Sequence, residues 1–139
     1  MPPDEASDAM AASGGLYATA DDMIAFMRWH LARNRPDRAS VRAVDHALYV
    51  PRDGLSMVLG LDEAGRMDGL GLAWIAMMPE GPRPFILQKS GGIQGFFSYL
   101  ALAPAHEVGV FVVANKFDFG AFFRMTAAAN QLVSELGPR

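Results

Sequence analysis

A lysine, a serine and two glycines stand in a row at Lys89-Ser90-Gly91-Gly92, after an apolar run that is typical of a β-strand. The lysine carries a positive charge, the serine offers a hydroxyl, and the glycines leave backbone N–H groups uncovered, so together they can recognise an anion. Only one other lysine, Lys116, occurs in the chain. The pattern therefore predicts an anion-binding strand edge, and the alternative is a lysine that simply extends from a strand end.

Strand-like runs surround this motif in the second half of the chain. Residues 70–78, 85–89, 97–103 and 108–114 are rich in apolar, β-branched and aromatic side chains, and the turns between them are short. Short connections favour antiparallel neighbours. The last run is apolar at 110–113 without alternation, which predicts a strand covered on both faces.

Three segments show the periodicity of amphipathic helices. Apolar residues recur at helical spacing over about 20–33, 39–49 and 120–136. Thr19 and Asp22 are placed as an N-cap and its partner at the start of the first helix. These helices and strands predict an α+β fold, in which an antiparallel sheet of about four strands packs against N-terminal and C-terminal helices.

The remaining segments are predicted as loops. Residues 1–12 read as a disordered lead-in to one domain at 13–139, because they are rich in proline, aspartate, alanine and serine. Residues 52–69 contain repeated glycines and predict a long loop with one short strand at 55–59. The role of this loop, as a lid or as packing, stays open.

Composition excludes several classes of function. The chain has 139 residues and a formal charge of -3, which argues against nucleic acid as its main partner. It has no cysteine, so thiolate chemistry and disulfides are excluded. No apolar run approaches the ~20 residues of a membrane span, and the first residues lack the pattern of a secretion signal.

No metal site is expected from the spacing of possible ligands. His30 and His46 lie on or near helices without the spacing of a zinc motif, and His106 lies in a turn. The acidic residues at 62–68 lack the alternating oxygen ligands of a calcium loop. Surface or hydrogen-bonded histidines are the favoured interpretation.

Five segments in this order resemble the C-terminal part of class C β-lactamase-type serine hydrolases, and most closely the AmpH-type penicillin-binding proteins. They are SGGLYATADDM at 13–23, GLGLAW at 69–74, QKSGG at 88–92, FFSY at 96–99 and VGVFVVAN at 108–115. Members of that family form an acyl-enzyme with an S-x-x-K serine, a Tyr-x-Asn or Ser-x-Asn element and a K-[ST]-G strand. The resemblance implies a partial β-lactamase/transpeptidase-like fold, a periplasmic location and no cofactor.

The resemblance also assigns roles to the strand-edge residues. Lys89 would add positive potential beside a substrate carboxylate and the catalytic hydrogen bonds, and Ser90 would donate to that carboxylate. Gly91 would let the strand approach the ligand, and the Gly92 N–H would be one of two oxyanion donors. The implied ligands are peptidoglycan peptides of the D-alanyl-D-alanine type or β-lactams.

The other two motifs of the family are absent from this chain. None of its seven serines has a lysine three residues later, and no tyrosine or serine has an asparagine two residues later. The chain is therefore expected to lack the nucleophile, to be inactive alone, and to self-associate or pair with an N-terminal fragment. Two functions stay open: the C-terminal segment of a hydrolase, and a non-catalytic module that binds a peptide or partner.

Overall fold

The computed structural model of the chain describes residues 15–33, 35–93, 95–116 and 118–137. The predicted lead-in at 1–12 lies outside these residues. In the described part, three α-helices flank one antiparallel sheet. The predicted α+β class is confirmed.

The sheet is a meander whose strands pair in chain order. Within the described residues its six strands are β1 Val50–Pro51, β2 Gly69–Leu70, β3 Ile75–Met77, β4 Ile86–Ile93, β5 Phe96–Ala103 and β6 Val108–Ala114. Each pair of neighbours is antiparallel. The three long strands β4, β5 and β6 form the body of the sheet.

Two expectations about the strands are wrong. The predicted strand at 70–78 is a hairpin of β2 and β3, because the Gly71 N–H donates to the Trp74 carbonyl at 2.8 Å and reverses the chain there. The predicted strand at 55–59 is irregular loop. β4, in turn, continues through the glycine pair to Ile93, since β5 pairs with it along its C-terminal half.

The helices lie where periodicity places them, with different ends. They are α1 Ala20–Leu31, α2 Ala39–Asp45 and α3 Phe119–Leu136. The predicted capping pair is present, because Thr19 Oγ1 accepts from the Asp22 N–H at 3.2 Å and Asp22 Oδ2 accepts from the Thr19 N–H at 2.8 Å. The predicted second helix is too long, since α2 ends at Asp45 rather than near residue 49.

The core lies on both faces of the sheet. Alternate side chains of the long strands point to opposite faces, so α3 covers one set and α1 covers the other. The set with α3 is Ile86, Tyr99, Ala101, Ala103, Ala129 and Val133. The set with α1 is Trp74, Ala76, Leu87, Leu100 and Leu102, joined by Met23, Met27 and Leu31.

The edge strand β6 contacts both helices, as its continuous apolar run predicts. Val110 packs toward α3 and Phe111 toward α1. Most of its side chains are nevertheless only half-buried, and Val113 is 57% exposed. The strand is covered on both faces but lies at the end of the sheet.

Candidate active site

One half of β4 forms an open sheet edge. The ladder between β3 and β4 ends at the pair of Ile75 with Gln88. Beyond it, in the described part of the chain, residues 89–93 pair with β5 alone. The predicted anion-binding motif therefore lies on a strand whose second side has no neighbouring strand among the described residues.

Hydrogen-bond alternation decides which backbone groups reach that open side. Two residues connect β4 to β5, so the flanking residues Ile93 and Phe96 form a hydrogen-bonded pair. Going back along β4 from Ile93, every second residue (Gly91, then Lys89) forms backbone hydrogen bonds with β5. The residues between them point their backbone N–H and C=O groups away from β5. Ser90 and Gly92 are the residues between. Their backbone N–H groups therefore point toward the open edge.

The β2–β3 turn gives the same alternation independently. Gly71 and Trp74 form the hydrogen-bonded pair at that turn, so the next pair is not bonded. Ile75 then directs its backbone groups at Gln88, and Gln88 directs its own toward β3. Ser90 lies two residues after Gln88, so its backbone groups point to the same side of β4. This agrees with the alternation counted from the β4–β5 turn.

The side chains of the motif alternate between the two faces of the sheet. Lys89 and Gly91 share the α1 face with Leu87 and Leu100, whereas Ser90 shares the α3 face with Tyr99. Lys89 is exposed. It lies at the rim of a cavity of about 270 Å³ on the α1 face, whose lining includes Met23, Phe26, Trp74, Gly91, Ser98 and Phe111. The positive charge of Lys89 thus lies beside a mostly apolar cavity.

The Ser90 hydroxyl has a partner that sequence analysis missed. Ser90 Oγ donates to Glu63 Oε2 at 2.9 Å, and both side chains are half-buried. The two residues are 27 positions apart, and Glu63 belongs to the acidic stretch at 62–68, for which the sequence predicts no ligand-binding role. A carboxylate ligand would have to compete with Glu63 for this hydroxyl.

A network in the 52–68 loop holds Glu63 in place. Arg52 binds Asp62 through both of its terminal nitrogens, at 2.6 and 2.7 Å, and also donates to the Met67 carbonyl at 2.9 Å. The Arg52 hydrogen bonds and the Met67 N–H lower the pKa of the Asp62 carboxyl to about 2. The loop is therefore fastened next to the residue that contacts the motif.

The same loop is tied to the sheet and to α3. Asn130 Nδ2 donates to the Ala64 carbonyl at 2.9 Å, and the Tyr99 hydroxyl donates to Asn130 Oδ1 at 2.7 Å. Met67 is fully buried. Ala64 and Met67 of this loop therefore form part of the core, which supports a packing role for this part of the loop.

Gly92 is confined by a buried aromatic ring. A Cβ atom built on Gly92 would lie 2.8 Å from the Phe97 ring, which is only 7% exposed. At Gly91 the nearest atom is Ser98 Oγ at 3.2 Å. Any side chain at Gly92 would push against the core beneath it, which is why this position of the strand suits glycine.

Comparison with known proteins agrees with this arrangement. The family model described as Beta-lactamase matches residues 1–135. The chain belongs to the Beta-lactamase family. The family resemblance inferred from the sequence is thereby confirmed.

Relatives of this Beta-lactamase family chain are longer than the chain itself. It is 37% identical over 124 residues to the D-alanyl-D-alanine-carboxypeptidase/endopeptidase AmpH of Escherichia coli strain K12, and equally to that of strain O157:H7. The match covers 89% of this chain and 32% of each relative. The chain thus spans about a third of the length of the curated relatives it matches.

A solved structure shows the same fold. The crystal structure of a β-lactamase/D-alanine carboxypeptidase from Yersinia pestis complexed with citrate superposes with a TM-score of 0.76 at 40% sequence identity. The match covers 88% of this chain and 35% of the crystallised chain. The sheet and helices described above therefore correspond to one part of a larger Beta-lactamase family structure.

None of the helices in the described ranges combines the length and apolar character needed to cross a bilayer.

The second lysine of the chain is paired and exposed. Lys116 Nζ lies 3.4 Å from Asp118 Oδ2, and the Lys116 side chain is 74% exposed and far along the chain from the motif. Lys116 is therefore a useful reference for substitutions at Lys89.

Proposed function

We propose that this chain is the C-terminal segment of a serine acyl-enzyme hydrolase that acts on D-alanyl-D-alanine-type peptidoglycan peptides or β-lactams. In this proposal the chain contributes the Lys89-Ser90-Gly91 wall of the pocket and one oxyanion donor, and the nucleophilic serine lies outside the chain. The observation that supports it most is the alternation along β4, which directs the Gly92 N–H at the open edge.

Each residue of the motif has a separate task in that reaction. Lys89 places a positive charge beside the carboxylate of the substrate, and Ser90 donates a hydrogen bond to it once the hydroxyl turns from Glu63. Gly91 leaves room for the substrate backbone along the strand. The Gly92 N–H donates to the oxygen of the tetrahedral intermediate, a contribution of about 2.7–4 kcal/mol to the transition state.

The nucleophile is proposed to come from other sequence. No serine of this chain carries the lysine of an S-x-x-K motif, and the relatives named AmpH extend well beyond the matched region. An oxyanion donor without a nucleophile and base gives only residual catalysis. The proposed partner is therefore an N-terminal portion that lies against the open edge of β4. The proposed reaction needs no cofactor and takes place in the periplasm.

Acylation by a β-lactam tests this assignment. Intact-mass measurements are made with this chain alone and with any longer product of the same locus that contains an S-x-x-K segment. The chain alone should gain no mass, whereas the longer product should gain one acyl group. Acylation of the chain alone would refute the placement of the nucleophile.

Substitution of the two lysines tests the role of the motif in the longer product. Lys89→Met should slow acylation by roughly 100-fold, in the range seen when an electrostatic contact to the transition state is removed. Lys116→Met is the matched control and should acylate at the parental rate, because Lys116 is exposed and paired with Asp118. Equal rates for both variants would remove Lys89 from the site.

A non-catalytic binding module is the second candidate. The open side of β4 offers unpaired backbone groups to an extended peptide, which can add to a sheet edge as a further strand. An upstream sequence without any in-frame S-x-x-K segment would favour this alternative. Binding of a D-alanyl peptide without turnover, measured by calorimetry, would then be the expected result.

A further inference from the structure

A cluster of three metal-ligating side chains lies apart from the β4 motif. His30 is near the end of α1, Asp45 is the last residue of α2, and His46 follows it directly. His30 Nδ1 lies 3.0 Å from His46 Nε2 and 3.3 Å from Asp45 Oδ2, and the last two atoms are 3.7 Å apart. One nitrogen from each imidazole and one carboxylate oxygen thus form a small triangle.

The size of this triangle fits one face of a tetrahedral metal site. Zinc binds histidine nitrogen at about 2.0–2.1 Å and carboxylate oxygen at similar lengths, so tetrahedral ligand atoms lie about 3.3–3.4 Å apart. The three separations of 3.0, 3.3 and 3.7 Å bracket that value. A proton shared between the imidazoles joins only the two nitrogens and leaves Asp45 Oδ2 to the Trp74 N–H, whereas a metal ion would join all three atoms.

The surroundings fix the positions of the Asp45 carboxylate and of the His30 ring. Trp74 Nε1 donates to Asp45 Oδ2 at 2.9 Å and so fixes the carboxylate. The other nitrogen of His30, Nε2, is buried without a hydrogen-bond partner among the described residues, and the rings of Phe26, Trp29 and Trp74 surround the imidazole. Polar contacts of His30 are therefore directed through Nδ1 alone.

Burial decreases across the cluster from one side to the other. The side chain of His30 is 4% exposed, that of His46 is 16% exposed and that of Asp45 is 27% exposed. An ion can therefore enter from the side of Asp45 and keep a water molecule as its fourth ligand. Three protein ligands with one open position are a common arrangement for zinc.

We propose that His30, Asp45 and His46 bind one divalent transition-metal ion of the Zn²⁺ type. The ion joins the end of α1 to the end of α2, and through Asp45 it stabilises Trp74 at the β2–β3 turn. Trp74 lines the cavity beside Lys89, so the metal supports one wall of that cavity. Sequence spacing predicts no metal here because the two histidines are 16 residues apart, one in α1 and the other directly after α2.

Zinc titration of the metal-free full chain tests the proposal by calorimetry. The unsubstituted chain should bind one Zn²⁺ ion. His46→Gln and Asp45→Asn should each weaken binding at least 10- to 100-fold, about the loss that even an outer partner of a metal ligand causes. His106→Gln is the matched control, since His106 lies in the β5–β6 turn, and it should bind like the unsubstituted chain.

A spectroscopic measurement separates this site from weak surface binding. Co²⁺ bound at the cluster should give the visible absorption of a four-coordinate ion and quench the fluorescence of Trp29 and Trp74, whose rings lie 4.6 and 5.1 Å from His30. Asp45→Asn keeps an oxygen that can accept the hydrogen bond from Trp74 Nε1, so this variant should retain the fold. It therefore tests the site even if His46→Gln fails to fold. No binding by the unsubstituted chain, or equal binding by all the variants, would overturn the proposal.

Discussion

Asn130→Ala should destabilise the protein through two buried hydrogen bonds. Asn130 accepts from the Tyr99 hydroxyl at 2.7 Å and donates to the Ala64 carbonyl at 2.9 Å, and Tyr99 is fully buried. Burial also raises the pKa of the Tyr99 phenol, so it remains a neutral donor. Loss of Asn130 leaves both groups without their partner, and each such buried group costs about 1–3 kcal/mol. The expected loss of unfolding free energy is about 2–6 kcal/mol.

Urea denaturation followed by tryptophan fluorescence measures this loss. A double-mutant cycle with Tyr99→Phe isolates the bond between the two side chains, because Tyr99→Phe removes the hydroxyl that Asn130→Ala would leave unpaired. In the Tyr99→Phe background, Asn130→Ala should cost about 1–3 kcal/mol less than in the parent. If the two changes add within about 0.5 kcal/mol, the side chains do not share a buried hydrogen bond and the reasoning is refuted.

The remaining predictions concern the loop and the strand edge. Because the folded pKa of Asp62 is about 2, below its ordinary 3.8, its contribution to stability is complete above pH 3.8 and is lost as the pH falls toward 2. Acid unfolding curves should show this loss for the parent chain. Arg52→Met should make the loss smaller, because the Met67 N–H still donates to Asp62, and an unchanged curve for Arg52→Met would contradict the assignment. Gly92→Ala should lower the free energy of unfolding, measured by urea denaturation, by about 1–3 kcal/mol, because the new Cβ would clash with the Phe97 ring. Gly54→Ala, where the nearest atom is 3.7 Å away, is the control, and an equal cost for both would disprove the steric explanation.

The long elements were predictable because their signals are repeated along the chain. α1 and α3 contain several apolar residues at helical spacing, and β5 and β6 are mostly apolar runs of strand length. Thr19 with Asp22 marks a helix start within four residues. Short elements carry no such repetition. β1 and β2 have two residues each, so only their pairing partners define them, and the hairpin at 71–74 was predicted as one strand.

The candidate site was predictable in part. The motif Lys89-Ser90-Gly91-Gly92 is contiguous, so its residue types alone indicate a charged, uncovered strand edge. Which side of β4 is open could not be predicted, because that depends on where β3 stops along its neighbour. Glu63 was missed for a similar reason, since it reaches Ser90 only through the folding of the 52–68 loop against the sheet.

The sequence by itself determined the family, the α+β class and the four-residue motif, because these depend on residue types and on spacing within single elements. Only the tertiary structure decided that Glu63 meets Ser90 and that His30 meets Asp45 and His46. These contacts join residues 15 to 27 positions apart, and no local period relates such positions. Packing of α1 and the loop against the sheet, and of α2 at the β2–β3 turn, sets those distances, and packing depends on the shapes of all the side chains between them.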